Sequence, residues 1–196
     1  MVTPEQVLSF WVDEVGPKGW YDVDPALDAA IRDRFEETWR KARDGGCSTW
    51  QTSSKAALAY IVVMDQFPRN MFRGEAEAFS TDKAARAASK VSIDRNWDQK
   101  INGPERQFFY LPLMHSENLI DQDRAVRLFK SRMPDGGTSS LRHARAHRAV
   151  IRKFGRFPYR NEALGRKNTA MEEEWLRDGG YKLALQEVDG RASAEA

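Results

Sequence analysis

Residues 56–64 of this chain, AALAYIVVM, are apolar on every side of a helix, and no other stretch limits the possible folds so strongly. A helix that is apolar round nearly its whole circumference has no face to offer water, so other elements must enclose it. Its apolar run is less than half of the ~20 residues needed to cross a bilayer, so the enclosing elements are protein rather than lipid. With 196 residues the chain can supply them, because a domain of that size buries roughly 70% of the surface its unfolded form exposes.

The flanking sequence reads as further helices, about eight in all. Thr3-Pro4-Glu5-Gln6 is a capping box with proline at the first helical position, and Gly16-Pro17 ends the helix it opens. Asp24-Pro25 opens a second helix, whose stripe Leu27, Ile31, Phe35, Trp39 recurs at helical spacing until Gly45-Gly46. Ser53 or Ser54 caps the enclosed third helix over 55–67, and Pro68 is expected to stop it. A fourth runs from Asp82 to about Ile93. A fifth follows Pro104 and is bent by Pro112, and a sixth, capped by Ser116, spans 117–133. The Gly- and Ser-rich loop 134–140 is expected to be the most mobile internal segment. Helix seven covers 141–154 and closes at Gly155. A second capping box, Thr169 with Glu172, opens helix eight, and Gly179-Gly180 ends it. No stretch alternates with period two for long enough to make a strand. The expected architecture is all-α, one helical domain over 1–180 with short connections that favour antiparallel pairs, and a partly disordered tail over 181–196.

Several function classes recede at this level. The lone Cys47 has no intramolecular partner, which suits a reducing cytoplasm, and residues 1–20 lack the basic start of a signal peptide. A net charge of +2 is too small to argue for nucleic acid. The span 142–167 does hold nine Arg or Lys against one acid, Glu162, but an arginine face is usually just solvated, and along helix seven stacking aromatics are not interleaved with the arginines. Serine-nucleophile and phosphate-loop signatures are missing, and no cofactor is implied. His143 and His147 stand four apart, yet a zinc site needs a third protein ligand and the neighbouring arginines repel a metal, so no metal site is expected.

The informative residues are polar groups where the helical period calls for an apolar one. Gln122 falls in line with Leu119, Val126, Phe129 and Met133; His147 falls in line with Ala144, Ile151 and Phe154; Asp65 shares a face with Leu58 and Ile61. His115 lies one turn beyond Leu111. Each taken singly is a satisfied buried residue, since an unpaired buried amide costs about 1–3 kcal/mol. Taken together, they are candidates for one polar pocket.

Two corners repeat each other. Asp65-Gln66-Phe67-Pro68-Arg69-Asn70 leads to Arg73-Gly74, and Arg156-Phe157-Pro158-Tyr159-Arg160-Asn161 leads to Gly165-Arg166. An arginine just past a helix can serve the carbonyls left open there, which would make both corners structural. Alternatively Arg69, Arg73, Arg156, Arg160 and Arg166, with few acids nearby in sequence, would converge on a carboxylate or phosphate.

These corners, together with Phe108-Phe109-Tyr110-Leu111-Pro112-Leu113-Met114-His115-Ser116-Glu117 and Asp121-Gln122, resemble the bacterial family catalogued as domain of unknown function 924. The likeness runs from Val7 to about Gly180. It implies a helical array related to tetratricopeptide-type superhelices and supplies no activity or substrate. Tyr159 stands where the family pattern usually has His, and Lys167-Asn168-Thr169 replaces an acidic-Ser-Thr run.

Three functions compete on these grounds. The first is a binding module that holds a small anion or a peptide carboxylate on Asp65, Gln66, Arg69, Asn70, Arg73, His115, Gln122, His147, Arg156, Arg160, Asn161 and Arg166. The second is an enzyme with His115 or His147 as general base, oriented by Asp65 or Glu117, and with arginines stabilising negative charge. The third is an interaction scaffold, whose expected exposed aromatics are Trp20, Tyr21, Trp50 and Trp97. Neither nucleic acid nor membrane is an expected partner, and the sequence is silent on oligomeric state.

Overall fold

Helices account for every regular element among the described residues of a computed structural model, which are 2–133 and 137–194. They divide between two units, Met1–Pro112 and Leu113–Ala196.

The first unit opens with α1 (Pro4–Leu8), where the Gln6 amide donates to Thr3 and the Thr3 amide donates to the Gln6 side chain. A π-helical stretch, Ser9–Val15, and the short α2 (Gly16–Gly19) follow, with Gly16 at φ 66° forming the corner. Asp24 caps α3 (Pro25–Arg43), and Ser53 caps α4 (Ser54–Ile61). Every residue over 57–68 is buried, as the all-round apolar pattern requires. α1, the 3-10 turns Ser48–Thr52 and Pro104–Phe109, and α6 (Asp82–Asp94) pack around α4. Phe67, 0% exposed, meets Phe10, Trp11 and Phe35 with ring centroids 4.7–6.2 Å apart.

Pro68 does not end this helix. The chain widens into a π-helical turn, Val62–Gln66, and resumes as α5 (Phe67–Met71), in whose first turn Pro68 sits. A proline inside a helix removes one N–H and crowds the carbonyl four residues back. Here that carbonyl, of Met64, accepts from the hydroxyl of Thr81 at 2.6 Å, and the widened turn gives the ring room. Pro112 likewise opens a helix rather than bending one: it lies in α7 (Leu111–Met114), after the 3-10 turn.

In the second unit Asn118, not Ser116, caps α8 (Leu119–Arg132) by accepting from the amides of Ile120 and Asp121; Ser116 instead donates to Asp121. The mobile loop expected over 134–140 lies partly outside the described residues, and 138–140 already belong to α9 (Thr138–Phe154). Gly155, at φ 70°, closes α9 in the left-handed conformation. Thr169 and Glu172 form the expected capping box of α10 (Ala170–Arg177).

The tail is where expectation and structure differ most. Residues from Tyr181 form α11 (Tyr181–Ala194), which packs on α9. Tyr181, Leu183, Leu185 and Val188 lie against a buried cluster that includes Val150, Ile151, Phe157 and Trp175. The exposed aromatic surface is also smaller than expected: Trp20 and Trp50 are buried, while Tyr21 remains exposed.

Candidate functional site

The first Phe-Pro corner carries its own acids. Arg69 donates to the backbone carbonyl of Asp65, lies 3.3 Å from the Asp65 carboxylate, and donates to Asp82 at 2.9 Å. Asp65 is 0% exposed and accepts from the Gln66 amide at 2.5 Å. Arg73 forks onto Asp28 of α3 at 2.9 and 3.0 Å, and Asn70 donates to the same carboxylate at 2.8 Å. Burial alone would raise the Asp28 carboxyl, but these donors hold it below the ordinary carboxylate range.

The second corner is held the same way. Arg156 forks onto Glu172 at 2.6 and 2.7 Å and donates to the Lys167 carbonyl. Arg166 forks onto Glu117 at 2.7 and 2.9 Å, and also donates to the Asn161 side chain and the Phe157 carbonyl. Glu117 accepts in addition from the Phe157 amide at 2.8 Å. Burial pushes Glu117 up, yet Arg166 and that amide outweigh it and hold the carboxyl down. The Arg156 fork, helped by Thr169, holds Glu172 at about 2. An anion would have to displace these carboxylates to reach four of the five guanidiniums proposed for it. Arg160, 7% exposed, has its guanidinium carbon 4.5 Å from the centre of the Phe157 ring.

A second polar group in this unit gathers around His147. Its Nδ1 lies 2.9 Å from the carbonyl of His143, one helical turn back, and 2.9 Å from the Tyr181 hydroxyl. A carbonyl can only accept, so His147 carries its proton on Nδ1. The Tyr181 oxygen is also 2.9 Å from His143 Nδ1, so the arrangement that satisfies every close contact has Tyr181 donating to His143. Nε2 of His147 takes part in no hydrogen bond among the described residues. The ring packs edge-on against Phe157 at 5.3 Å, and His115 lies 6.3 Å away, centre to centre. Dense packing first, then the charges of His115 and Arg160, push the His147 imidazole down to about 3, so it is neutral at ordinary pH. Tyr159 stacks on Phe157 at 5.3 Å and meets Tyr181 at 5.9 Å.

Gln122, 0% exposed, sits beneath His115. Its amide donates to the carbonyls of Met114 and Ser116, the residues on either side of His115, while its oxygen has no hydrogen-bond partner among the described residues. A family model described as a bacterial protein of unknown function, DUF924, matches residues 7–180. The chain belongs to the DUF924 family. A solved structure of a protein of unknown function, ATU0120 from Agrobacterium tumefaciens, is similar at 37% identity and a TM-score of 0.84, across 90% of this chain and 97% of that one. No curated protein matches.

For this DUF924 chain, the site residues read from sequence fall into two sets. Asp65, Gln66, Arg69, Asn70 and Arg73 belong to the first unit; His115, Glu117, Gln122, His147, Arg156, Arg160, Asn161 and Arg166 belong to the second. Sequence reasoning missed Asp28, Glu172 and Tyr181. For Tyr181 a signal existed: positions 181, 184, 185 and 188 repeat at helical spacing, though the stripe is short and follows two glycines.

Proposed function

We propose that the second unit is a binding module for a small anionic ligand, taken up where His147, His115, Arg160 and Tyr159 gather. The observation that carries this reading is the neutral His147 ring, whose Nε2 takes part in no hydrogen bond among the described residues while the charges of His115 and Arg160 act on it. A positive potential that disfavours a proton favours an anion, and Nε2 can accept from a ligand hydroxyl or acid proton. A peptide carboxylate suits the tetratricopeptide-like reading of the helix pairs, and a reducing cytoplasm suits the buried Cys47. The first-unit corner is the weaker candidate, because Arg69 and Arg73 are paired with Asp65, Asp82 and Asp28.

Thermal-shift screening of small carboxylates and phosphates against the wild type and His147→Gln tests the reading. A ligand that raises the wild-type Tm and raises the imidazole pKa of His147 by NMR is the expected result. If no anion stabilises the wild type more than the variant, the reading fails.

A further inference from the structure

His143 and Tyr181 are more than the anchorage of α11. From the unbroken run of close contacts, His147 Nδ1 to Tyr181 Oη at 2.9 Å and Tyr181 Oη to His143 Nδ1 at 2.9 Å, we infer that these three side chains form a proton relay that makes His147 Nε2 a general base. The relay rests on the placement of a ligand at Nε2 argued above, and it narrows that ligand to a small anion with an ionisable hydroxyl.

The step balances without any further reactant. The hydroxyl O–H bond breaks, its electron pair stays on oxygen, and the proton joins Nε2. The Nδ1–H bond breaks, and that proton passes to Tyr181 Oη. The proton originally on Oη passes to His143 Nδ1. His147 and Tyr181 end neutral, and one positive charge rests on His143.

The relay answers an electrostatic difficulty. A cation on His147 would be poorly solvated and would face His115 and Arg160. His143, also on α9, is half-buried, and Arg142 beside it is paired with Asp189 at 2.7 Å. Burial and Arg142 lower the His143 imidazole as well, so it is a neutral acceptor at ordinary pH. Tyr159 is the remaining polar ring facing Tyr181. The backbone helps too: the His143 carbonyl fixes the His147 tautomer, which a freely rotating imidazole would not keep.

Diethyl pyrocarbonate, which acylates neutral imidazole, probes Nε2 without requiring the natural ligand. Acylation at Nε2 must shed the Nδ1 proton, so the relay should speed it. With full-length protein and peptide mass spectrometry to follow His147, we expect Tyr181→Phe and His143→Gln each to slow the modification by about tenfold or more. A purely structural tether would give the opposite sign, because loosening α11 exposes the ring and speeds the reaction. Long-range 1H–15N spectra of the wild type supply a reading independent of variant folding: His147 should be the Nδ1–H tautomer. An Nε2–H tautomer, an unreactive His147, or variant rates equal to or above the wild type would overturn the relay. A relay seen here without any stabilising anion in the screen would leave the proton path standing and remove the anionic ligand.

Discussion

Thr81 donates its hydroxyl proton across 2.6 Å to the carbonyl of Met64, the acceptor that the missing N–H of Pro68 would otherwise have served. The Thr81 hydroxyl oxygen in turn accepts from the indole N–H of Trp39 at 3.2 Å, so one buried side chain satisfies both the Met64 carbonyl and the Trp39 indole. Thr81→Val keeps the shape and removes the hydroxyl. A buried polar group left unpaired costs about 1–3 kcal/mol, so the urea midpoint should fall by a matching amount, and Thr81→Ser should retain most of it. An unchanged midpoint for Thr81→Val would mean that another donor reaches Met64.

That contact also marks the boundary of what the sequence made legible. Caps are local: Thr3, Asp24, Ser53, Thr169 and Gly155 act within a few residues of their helices, and all five sit where the pattern places them. The enclosed character of α4 was equally plain, because it needs only the absence of a polar face. Thr81 and Met64 are 17 residues apart, and Arg166 and Glu117 are 49 apart. Nothing in a linear pattern says which acid answers which arginine. The basic span 142–167 therefore read as short of acids, although Glu117 and Glu172 come to it from either side.

Acid should release the second corner. Glu172 has a folded-state value of about 2, below the ordinary ~4.3 of an unfolded glutamate. Its contribution is fully present above the unfolded value and is lost as pH falls towards the folded one, because the unfolded chain takes up the proton first. Glu117, also depressed, acts in the same direction. Glu172→Gln should therefore be less stable than the wild type at pH 6, and the gap should shrink by pH 2.5. Urea unfolding at both pH values checks this, and a gap independent of pH would assign the loss to packing.

His147 acts in the same direction at higher pH. Its imidazole is pushed down to about 3 in the folded protein, against ~6.5 when unfolded. Between those values the unfolded state binds a proton that the folded state refuses, so stability rises with pH through this window. His147→Gln should lose less stability than the wild type on going from pH 7.5 to pH 5.5, above most carboxylate titration. Equal losses would mean that the ring protonates in place.

The last helix decides whether the His147 group exists as a unit. Chain ending at Gly180 would keep both capping boxes and both Phe-Pro corners, yet it would lose Tyr181, the hydroxyl shared by His143 and His147, together with the apolar side chains of Leu183, Ala184, Leu185 and Val188. Fully burying a valine or leucine contributes about 1.5–3 kcal/mol, and Leu183, Leu185 and Val188 are partly buried, so with the small buried Ala184 the loss amounts to several kcal/mol. At 2–4 °C per kcal/mol for a chain of roughly this length, the Tm should drop on the order of 10 °C. Trp175, 4% exposed beneath α11, should shift its fluorescence to longer wavelength. A truncated chain with the wild-type Tm and emission would show that α11 adds nothing to the core it covers, and that His147 keeps its environment without Tyr181.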